Sequence, residues 1–322
     1  MKKLMAAVVL AMTIFSLACG NDERQNVSLA LDWYPNSNHA GIYEALGRGF
    51  FEEEGLDVNV YTPTDPASIL QTVGAGRDDF GISYQPVLLQ ARSEGVPVVS
   101  IAAVSQHPLN SVMTLTSSGL ERPGDLAGRR IGHPGIPSNE GMLETMLNED
   151  GVSIDQVELV NVGFDLAQAL LGGTVDAIVG AYWTHESILM ELEGHEINIL
   201  RMEEWGVPDF YELVLVTNET ILAEDRDVVE QFVRAFRRGY EAAAEDPQAS
   251  ITSLIEANPE TVNEPLEREG VELLVPMWTD APRFGWQEES RWTDFADWMK
   301  ARDLINDDVD PADAFTNEFV ED

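Results

Sequence analysis

Cysteine is almost absent from this chain, since Cys19 is the only one among 322 residues. A chain with a single cysteine cannot form an internal disulfide bond. A cysteine-rich metal site is excluded for the same reason, because such a site needs several thiolate ligands. Any ligand or cofactor must therefore be held by other side chains.

Positive charge is also scarce. The chain has 19 Lys and Arg against 57 Asp and Glu, for a net charge of −38, and after Lys3 the only lysine is Lys300. Such a chain is repelled by nucleic acids and by anionic lipid headgroups, which excludes both as partners. The acids are scattered through helical patterns such as ETMLNED, which indicates a solvated acidic surface.

The apolar run from Leu4 to Ala18 is too short to span a bilayer comfortably and follows two lysines, so residues 1–18 are interpreted as a signal peptide. Cys19 follows directly, at the position where bacterial lipoproteins carry their lipid, and residues 19–26 form a polar tether. We expect an extracytoplasmic protein held at the cell membrane by its lipid alone. The alternative is an ordinary signal peptide with an incidental cysteine, because Ser16 stands where the lipobox usually has leucine.

Strand-like and helical patterns alternate from Val27 to Asn218, and only helical patterns follow to about Arg302. This order predicts an α/β protein with parallel sheets and crossover helices. Two apparent crossings divide it into lobe 1, residues 27–111 and 215–322, and lobe 2, residues 112–214, with the ligand site in the cleft between them. The helical tail is expected to pack on lobe 1, outside the site.

Several stretches resemble one family. They are LDWYPNSNHAGIY (31–43), GISYQPVLLQAR (81–92), NVGFDLAQAL (161–170), GAYWTHE (180–186) and VPDFYELVLVTNE (207–219). They are similar to the substrate-binding proteins of bacterial ABC transporters that salvage thiamine pyrimidine precursors, of the formylaminopyrimidine-binding type. The resemblance implies a two-lobed fold of the periplasmic-binding-protein type II class, a monomer, no cofactor, and an ABC transporter permease as partner.

With that resemblance, three groups of residues are candidate ligand contacts. Aromatic rings can stack on a flat aminopyrimidine, while fixed amide and carboxyl groups can recognise its edge. Glu186 lies in the first turn of a predicted helix, where an ionised acid is favoured and can accept from an exocyclic amine. The predicted ligand-binding residues are Asp32, Trp33, Asn38, Tyr84, Tyr182, Trp183 and Glu186.

Structural roles compete with some of these assignments. Asp32 can instead cap the turn after its strand. Trp33 can be a core anchor, and Tyr182 and Trp183 are adjacent, so that one of the two can pack internally. Without the resemblance, Glu186 would be one more acid among 57.

Two other functions stay open at this point. Riboflavin also suits stacked aromatic rings, whereas sulfonate and nitrate binders of related fold need donors for an anion. The pyrimidine synthases of fungi share the expected fold, but they carry a cysteine-rich iron-binding motif that this chain lacks. The histidines show no metal-ligand spacing and no nucleophile or nucleotide motif is present, so we expect a binding protein with no metal and no catalytic residues.

Overall fold

The computed structural model describes residues 24–321. The predicted signal peptide and Cys19 lie outside the described residues. The predicted tether extends to residue 26, but the first strand already begins at Gln25.

Within the described residues the chain forms two five-stranded sheets surrounded by helices. The strands are β1 (Gln25–Ala30), β2 (Leu56–Tyr61), β3 (Phe80–Ser83), β4 (Val98–Ser105), β5 (Asn110–Leu115), β6 (Arg130–His133), β7 (Glu158–Asn161), β8 (Ala177–Tyr182), β9 (Ile197–Arg201) and β10 (Leu213–Asn218). The helices are α1 (Ala40–Gly47), α2 (Phe50–Glu53), α3 (Ile69–Gly74), α4 (Gln85–Ser93), α5 (Ser138–Glu149), α6 (Leu166–Leu171), α7 (Glu186–Leu192), α8 (Glu219–Glu224), α9 (Arg226–Glu245), α10 (Pro247–Ala257), α11 (Glu264–Thr279) and α12 (Glu289–Lys300).

The first lobe contains the sheet of order β2-β1-β3-β10-β4, and the second lobe contains the sheet of order β7-β6-β8-β5-β9. The chain passes to the second lobe through residues 106–109 and returns through residues 202–212. These two crossing segments lie side by side at the base of the cleft, where Glu212 accepts hydrogen bonds from the backbone N–H groups of Leu109 and Asn110.

Both sheets are mixed, so the predicted parallel arrangement holds for all but one strand of each sheet. β10 runs antiparallel to β3 and β4, and β5 runs antiparallel to β8 and β9. Each exception is a strand by which the chain enters a lobe from the other lobe. Such a strand arrives from the cleft side, whereas the strands joined by crossover helices all start at the opposite edge.

The helical tail is held by buried apolar residues at helical spacing. On α9 the side chains of Val229, Phe232, Val233, Phe236 and Tyr240 are almost fully buried, as their spacing predicts. This stripe packs on α1 and the first sheet. Helix α12, however, also shares a core cluster with α5 of the second lobe, so the tail does not pack on the first lobe alone.

The described residues 24–321 contain no helix with the length and apolar character needed to cross a membrane.

Candidate ligand site

A narrow cleft lies between the two lobes, at the carboxyl ends of β1, β3 and β8. It encloses about 500 Å³ including its open mouth. Its walls stand close together, because the ring of Phe164 in the second lobe lies 4.4 Å from the ring of Trp33 in the first, measured between centroids. We call this space the inner cleft, and its lining consists of Asp32, Trp33, Asn36, Tyr84, Pro86, Asn110, Ile136, Ser138, Asn139, Met142, Gly180, Tyr182, His185, Glu186, Phe210 and Glu212.

The loop after β1 is fixed by a short helical turn over residues 37–39. The side chain of Asn36 caps this turn by accepting a hydrogen bond from the backbone N–H of Asn38 at 2.8 Å. The backbone N–H of Asn36 in turn donates to Nδ1 of His39 at 3.3 Å. Because Nδ1 accepts this bond, the imidazole proton lies on Nε2 and points at Asp32.

Asp32 makes two buried side-chain contacts in the wall that the first lobe contributes to the inner cleft. Its Oδ1 lies 2.9 Å from Nε2 of His39, and its Oδ2 accepts a hydrogen bond from the hydroxyl of Tyr84 at 2.9 Å. All three residues are buried. Burial, together with the nearby carboxylate of Asp32, raises the pKa of the Tyr84 hydroxyl well above its ordinary value. Asp32 therefore holds the Tyr84 ring in place against the cleft.

Two asparagines, neither of them predicted, form a hydrogen-bonding pair on the second-lobe side. Nδ2 of Asn110 donates to Oδ1 of Asn139 at 2.9 Å. The other polar atoms of the two amides, Oδ1 of Asn110 and Nδ2 of Asn139, are buried and have no partner among the described residues. One acceptor and one donor are thus left unpaired in the wall of the cleft, where a ligand edge would satisfy them.

Gly180 makes room for this pair. Its φ of +94° lies in a region that L-residues rarely adopt, and a Cβ at this position would lie 2.5 Å from Nδ2 of Asn139. A side chain at Gly180 would displace the amide from the wall.

Helix α5 begins at Ser138, next to Asn139, without a side-chain cap. Ser138 is the first helical residue, and Pro137 occupies the cap position without a side-chain hydrogen bond. The first turn of α5 therefore presents Ser138 and Asn139 to the inner cleft. Backbone N–H groups at such a helix start are suited to an oxygen of a ligand.

Glu212 brings a buried acid to the floor of the cleft. Its Oε2 accepts hydrogen bonds from the backbone N–H groups of Leu109 and Asn110 at 2.8 and 2.9 Å. Burial raises the pKa of this carboxyl to about 7, although the two backbone donors favour its ionised form. Glu212 is not among the predicted ligand-binding residues, although an acid inside the apolar run PDFYELVLV is a detectable signal.

The hydroxyl of Tyr182 is buried and has no hydrogen-bond partner among the described residues. Burial, followed by the nearby charge of Glu212, raises the pKa of this hydroxyl well above its ordinary value, so it stays protonated. Its polar neighbours are the carboxyl of Glu212 and the hydroxyl of Tyr84.

Glu186 lines the same cleft at its mouth. Its Oε2 accepts a hydrogen bond from the backbone N–H of Tyr182 at 2.8 Å, and its Oε1 lies 3.1 Å from Nδ1 of His185. A carboxylate offers about four acceptor directions, so these two contacts leave others for a ligand.

The remaining predicted residues divide into two groups. Trp33 lines the inner cleft, and its ring packs edge-on against Phe164 of the second lobe at 4.4 Å between centroids. Asn38 and Trp183 do not line it. The amide of Asn38 turns towards Asn36, and the Trp183 ring lies under the guanidinium of Arg201 at 4.1 Å.

The charged groups that line the inner cleft are mostly acidic. The described residues that line the inner cleft include three carboxyl groups and one histidine, but no arginine or lysine. Such a site suits a neutral or positively charged molecule with a flat ring and several N–H donors. It is poorly suited to an inorganic or organic anion.

Comparison with solved structures identifies the architecture. The alkanesulfonate-binding protein of Xanthomonas axonopodis pv. citri aligns with a TM-score of 0.69 at 17% identity, covering 91% of this chain and 99% of that chain. At this identity the match establishes the fold, which is the two-lobed α/β fold of periplasmic binding proteins.

Comparison with protein sequences is more specific. The chain is 38% identical to the formylaminopyrimidine-binding protein of Halalkalibacterium halodurans, over 98% of this chain and 96% of that protein. It is 25% identical to the 4-amino-5-hydroxymethyl-2-methylpyrimidine phosphate synthase of Legionella pneumophila, over 93% of each chain. The higher identity to a binding protein favours a binding function over an enzymatic one.

A family model described as NMT1/THI5 like matches residues 36–250, which include most of both lobes. The matched stretch contains all of the lining of the inner cleft except Asp32 and Trp33. By this match and by its full-length similarity to a binding protein, the chain belongs to the NMT1/THI5-like family.

Proposed function

We propose that the protein is the extracytoplasmic solute-binding component of an ABC importer and captures N-formyl-4-amino-5-aminomethyl-2-methylpyrimidine, a thiamine pyrimidine precursor. The observation that carries this proposal is a narrow cleft, lined by aromatic rings, amides and acids, in a chain similar throughout its length to a formylaminopyrimidine-binding protein. The protein would deliver its ligand to a membrane permease as a monomer anchored through Cys19.

The lining of the cleft suits a single flat ring. Tyr84, Tyr182 and Trp33 offer aromatic faces or edges from both lobes, and offset contacts of this kind are worth about 0.5–1.5 kcal/mol each beyond area burial. Glu186 and Glu212 provide acceptors for two N–H groups, which the proposed ligand carries on its amino and formamide substituents. The unpaired Nδ2 of Asn139 can donate to a ring nitrogen or a formyl oxygen, and the unpaired Oδ1 of Asn110 can accept from an N–H of the ligand.

The alternative ligands fit less well. Riboflavin carries three fused rings and a ribityl chain, so it needs more room between the walls than a single pyrimidine ring does. A sulfonate or nitrate would face three carboxyl groups and no arginine or lysine in the lining. Both remain arms of the test below.

Mass spectrometry of the small molecules that co-purify with residues 24–322 tests this proposal. We expect a formylaminopyrimidine or a related aminopyrimidine in the extract of the denatured protein. Recovery of a flavin, or of an alkanesulfonate, in stoichiometric amount would replace the proposed ligand.

We expect Glu186→Gln to lower the affinity for the aminopyrimidine about tenfold to a hundredfold, because a charge-assisted hydrogen bond contributes about 1.5–3 kcal/mol. The loss should be smaller for an analogue without the exocyclic amine. Trp33→Ala should weaken the binding of both compounds, because stacking does not depend on the amine. Calorimetric titration of each variant with both compounds measures these differences.

The matched control is Glu191→Gln, which removes an exposed acid from the same helix α7. It should bind like the parent. If Glu186→Gln binds the aminopyrimidine as tightly as this control does, Glu186 does not contact the ligand.

A further inference from the structure

Helix α11 belongs to the helical tail, yet it reaches across the mouth of the cleft to the second lobe. Gly270 of α11 lies at this crossing, between Thr184 of the second lobe and Ser37 of the first. A Cβ at this position would lie 2.7 Å from the backbone oxygen of Thr184 in the second lobe and 2.8 Å from Oγ of Ser37 in the first. These distances are shorter than normal contacts, so the backbones meet here only because residue 270 has no side chain.

One turn earlier on the same helix, Glu267 makes two contacts at the mouth. Its Oε2 accepts a hydrogen bond from the backbone N–H of Ser37 at 2.6 Å, within the first lobe. Its Oε1 lies 3.3 Å from Nε2 of His185, which belongs to the second lobe. Since the other ring nitrogen of His185 faces Glu186, the imidazole is held between carboxylates from the two lobes.

The electrostatics favour this bridge. Burial disfavours the charged form of His185, but the attraction of Glu186 and then of Glu267 outweighs it and raises the pKa of the imidazole to about 10. The side chains of Glu267 and His185 are 3% and 15% exposed. A buried imidazolium between two carboxylates is well compensated, and removal of one partner leaves an uncompensated charge.

We propose that Glu267 and Gly270 are positioning residues for ligand capture: they hold the two lobes together over the occupied cleft through His185 and Thr184. The inference rests on the proposed function, since closure matters only if the cleft holds a ligand. Glu267 does not line the inner cleft but a second cavity directly outside it, so it acts on the ligand through lobe position rather than by contact.

The test combines two variants with titration calorimetry and small-angle scattering, using the formylaminopyrimidine as the titrant. Gly270→Ala should lower affinity about tenfold, because the new methyl group meets the backbone of Thr184 and keeps the lobes apart. Its unfolding temperature without ligand should change little, because the contact within the first lobe is with the hydroxyl of Ser37, which can rotate away, and alanine is the better helix former. Glu267→Gln should lower affinity to a similar degree, because it leaves His185 with one carboxylate.

The matched control is Glu269→Gln, which removes an exposed acid from the same helix. At saturating titrant, the parent and this control should become more compact by the same amount, and Gly270→Ala should become less so. A role in folding alone would lower the unfolding temperature without changing this compaction.

Three outcomes are distinguishable. Reduced affinity with reduced compaction in Gly270→Ala supports the proposal. A parent that binds the titrant, with both variants binding and compacting as the control does, overturns this inference and leaves the proposed function standing. A parent that does not bind the titrant overturns both.

Discussion

Replacing Glu212 with glutamine should stabilise the ligand-free protein at pH 8 and at the same time weaken ligand binding. Burial raises the pKa of this carboxyl from 4.5 to about 7, so the folded protein holds the proton more tightly than the unfolded chain does. The contribution of Glu212 to stability is therefore fully present below about pH 4.5 and is lost as the pH rises to about 7. Above pH 7 the ionised carboxyl of Glu212 lowers the free energy of unfolding.

The expected size follows from this shift. At about 1.4 kcal/mol for each pKa unit, the ionised acid costs roughly 3 kcal/mol at pH 8, and glutamine carries no such cost. Glutamine also keeps a side-chain oxygen that can accept from Leu109 and Asn110. The free energy of unfolding of Glu212→Gln, measured by denaturant titration, should exceed that of the parent by about 2–3 kcal/mol at pH 8 and by little at pH 5.

Binding should change in the opposite direction. If ionised Glu212 accepts the ligand's formamide N–H, Glu212→Gln loses a charge-assisted bond and about tenfold to a hundredfold in affinity. Parent affinity should rise between pH 5.5 and 8, while the variant stays flat. Titration of His185 should contribute little in this range, because the pKa of its imidazole is about 10 in the closed structure.

The control must separate this effect from the general relief of negative charge in a chain with 57 acids and 19 bases. Glu269→Gln removes an exposed acid and should change stability by a small amount that is equal at pH 5 and pH 8. If Glu212→Gln matches this control in both stability and affinity, the ionised carboxyl of Glu212 neither destabilises the fold nor contacts the ligand.

Asp32→Ala should be the most destabilising substitution in the first-lobe wall. The carboxylate satisfies the buried hydroxyl of Tyr84 and Nε2 of His39. Each buried group left without a partner costs about 1–3 kcal/mol, so the free energy of unfolding should fall by about 2–5 kcal/mol. Affinity should fall as well, because the Tyr84 ring loses the contact that orients it. Thermal unfolding and titration calorimetry measure the two losses.

Tyr84→Phe tests the hydrogen bond from the Tyr84 hydroxyl to Asp32 separately from the aromatic ring. It keeps the aromatic ring and removes one of the two bonds to Asp32, so it should cost less stability than Asp32→Ala and leave part of the affinity. Equal stability of Asp32→Ala and the parent would mean that the buried network around Asp32 does not stabilise the fold.

The strands and the tail helix α9 could be predicted because each depends on local pattern. Apolar runs with turn residues between them correspond to all ten strands, and the five-residue stripe of α9 is buried as its spacing indicates. Strand direction could not be predicted for β5 and β10, because it depends on which lobe the chain comes from. No local pattern carries that information.

The site residues at strand ends could be predicted from the sequence. Asp32, Trp33, Tyr84, Tyr182 and Glu186 all line the inner cleft. Their position after buried strands, together with the family resemblance, is sufficient to bring them to one edge of each sheet.

The remaining lining depends on geometry that the sequence does not reveal. The short turn over residues 37–39 directs Asn38 back to Asn36, so that Asn36 faces the cleft in its place. Trp183 follows the last residue of β8, and its ring lies under Arg201 and does not line the inner cleft. Glu212 and Asn110 come together only because the two crossing segments lie side by side.

Titration calorimetry of residues 24–322 with the formylaminopyrimidine, in parallel with riboflavin and an alkanesulfonate, tests whether the inner cleft is a pyrimidine site. We expect one molecule of the pyrimidine bound per chain, much more tightly than the other two compounds, with affinity reduced in both Glu186→Gln and Glu212→Gln. Absence of binding, or equal affinity of the parent and these two cleft variants, would contradict it.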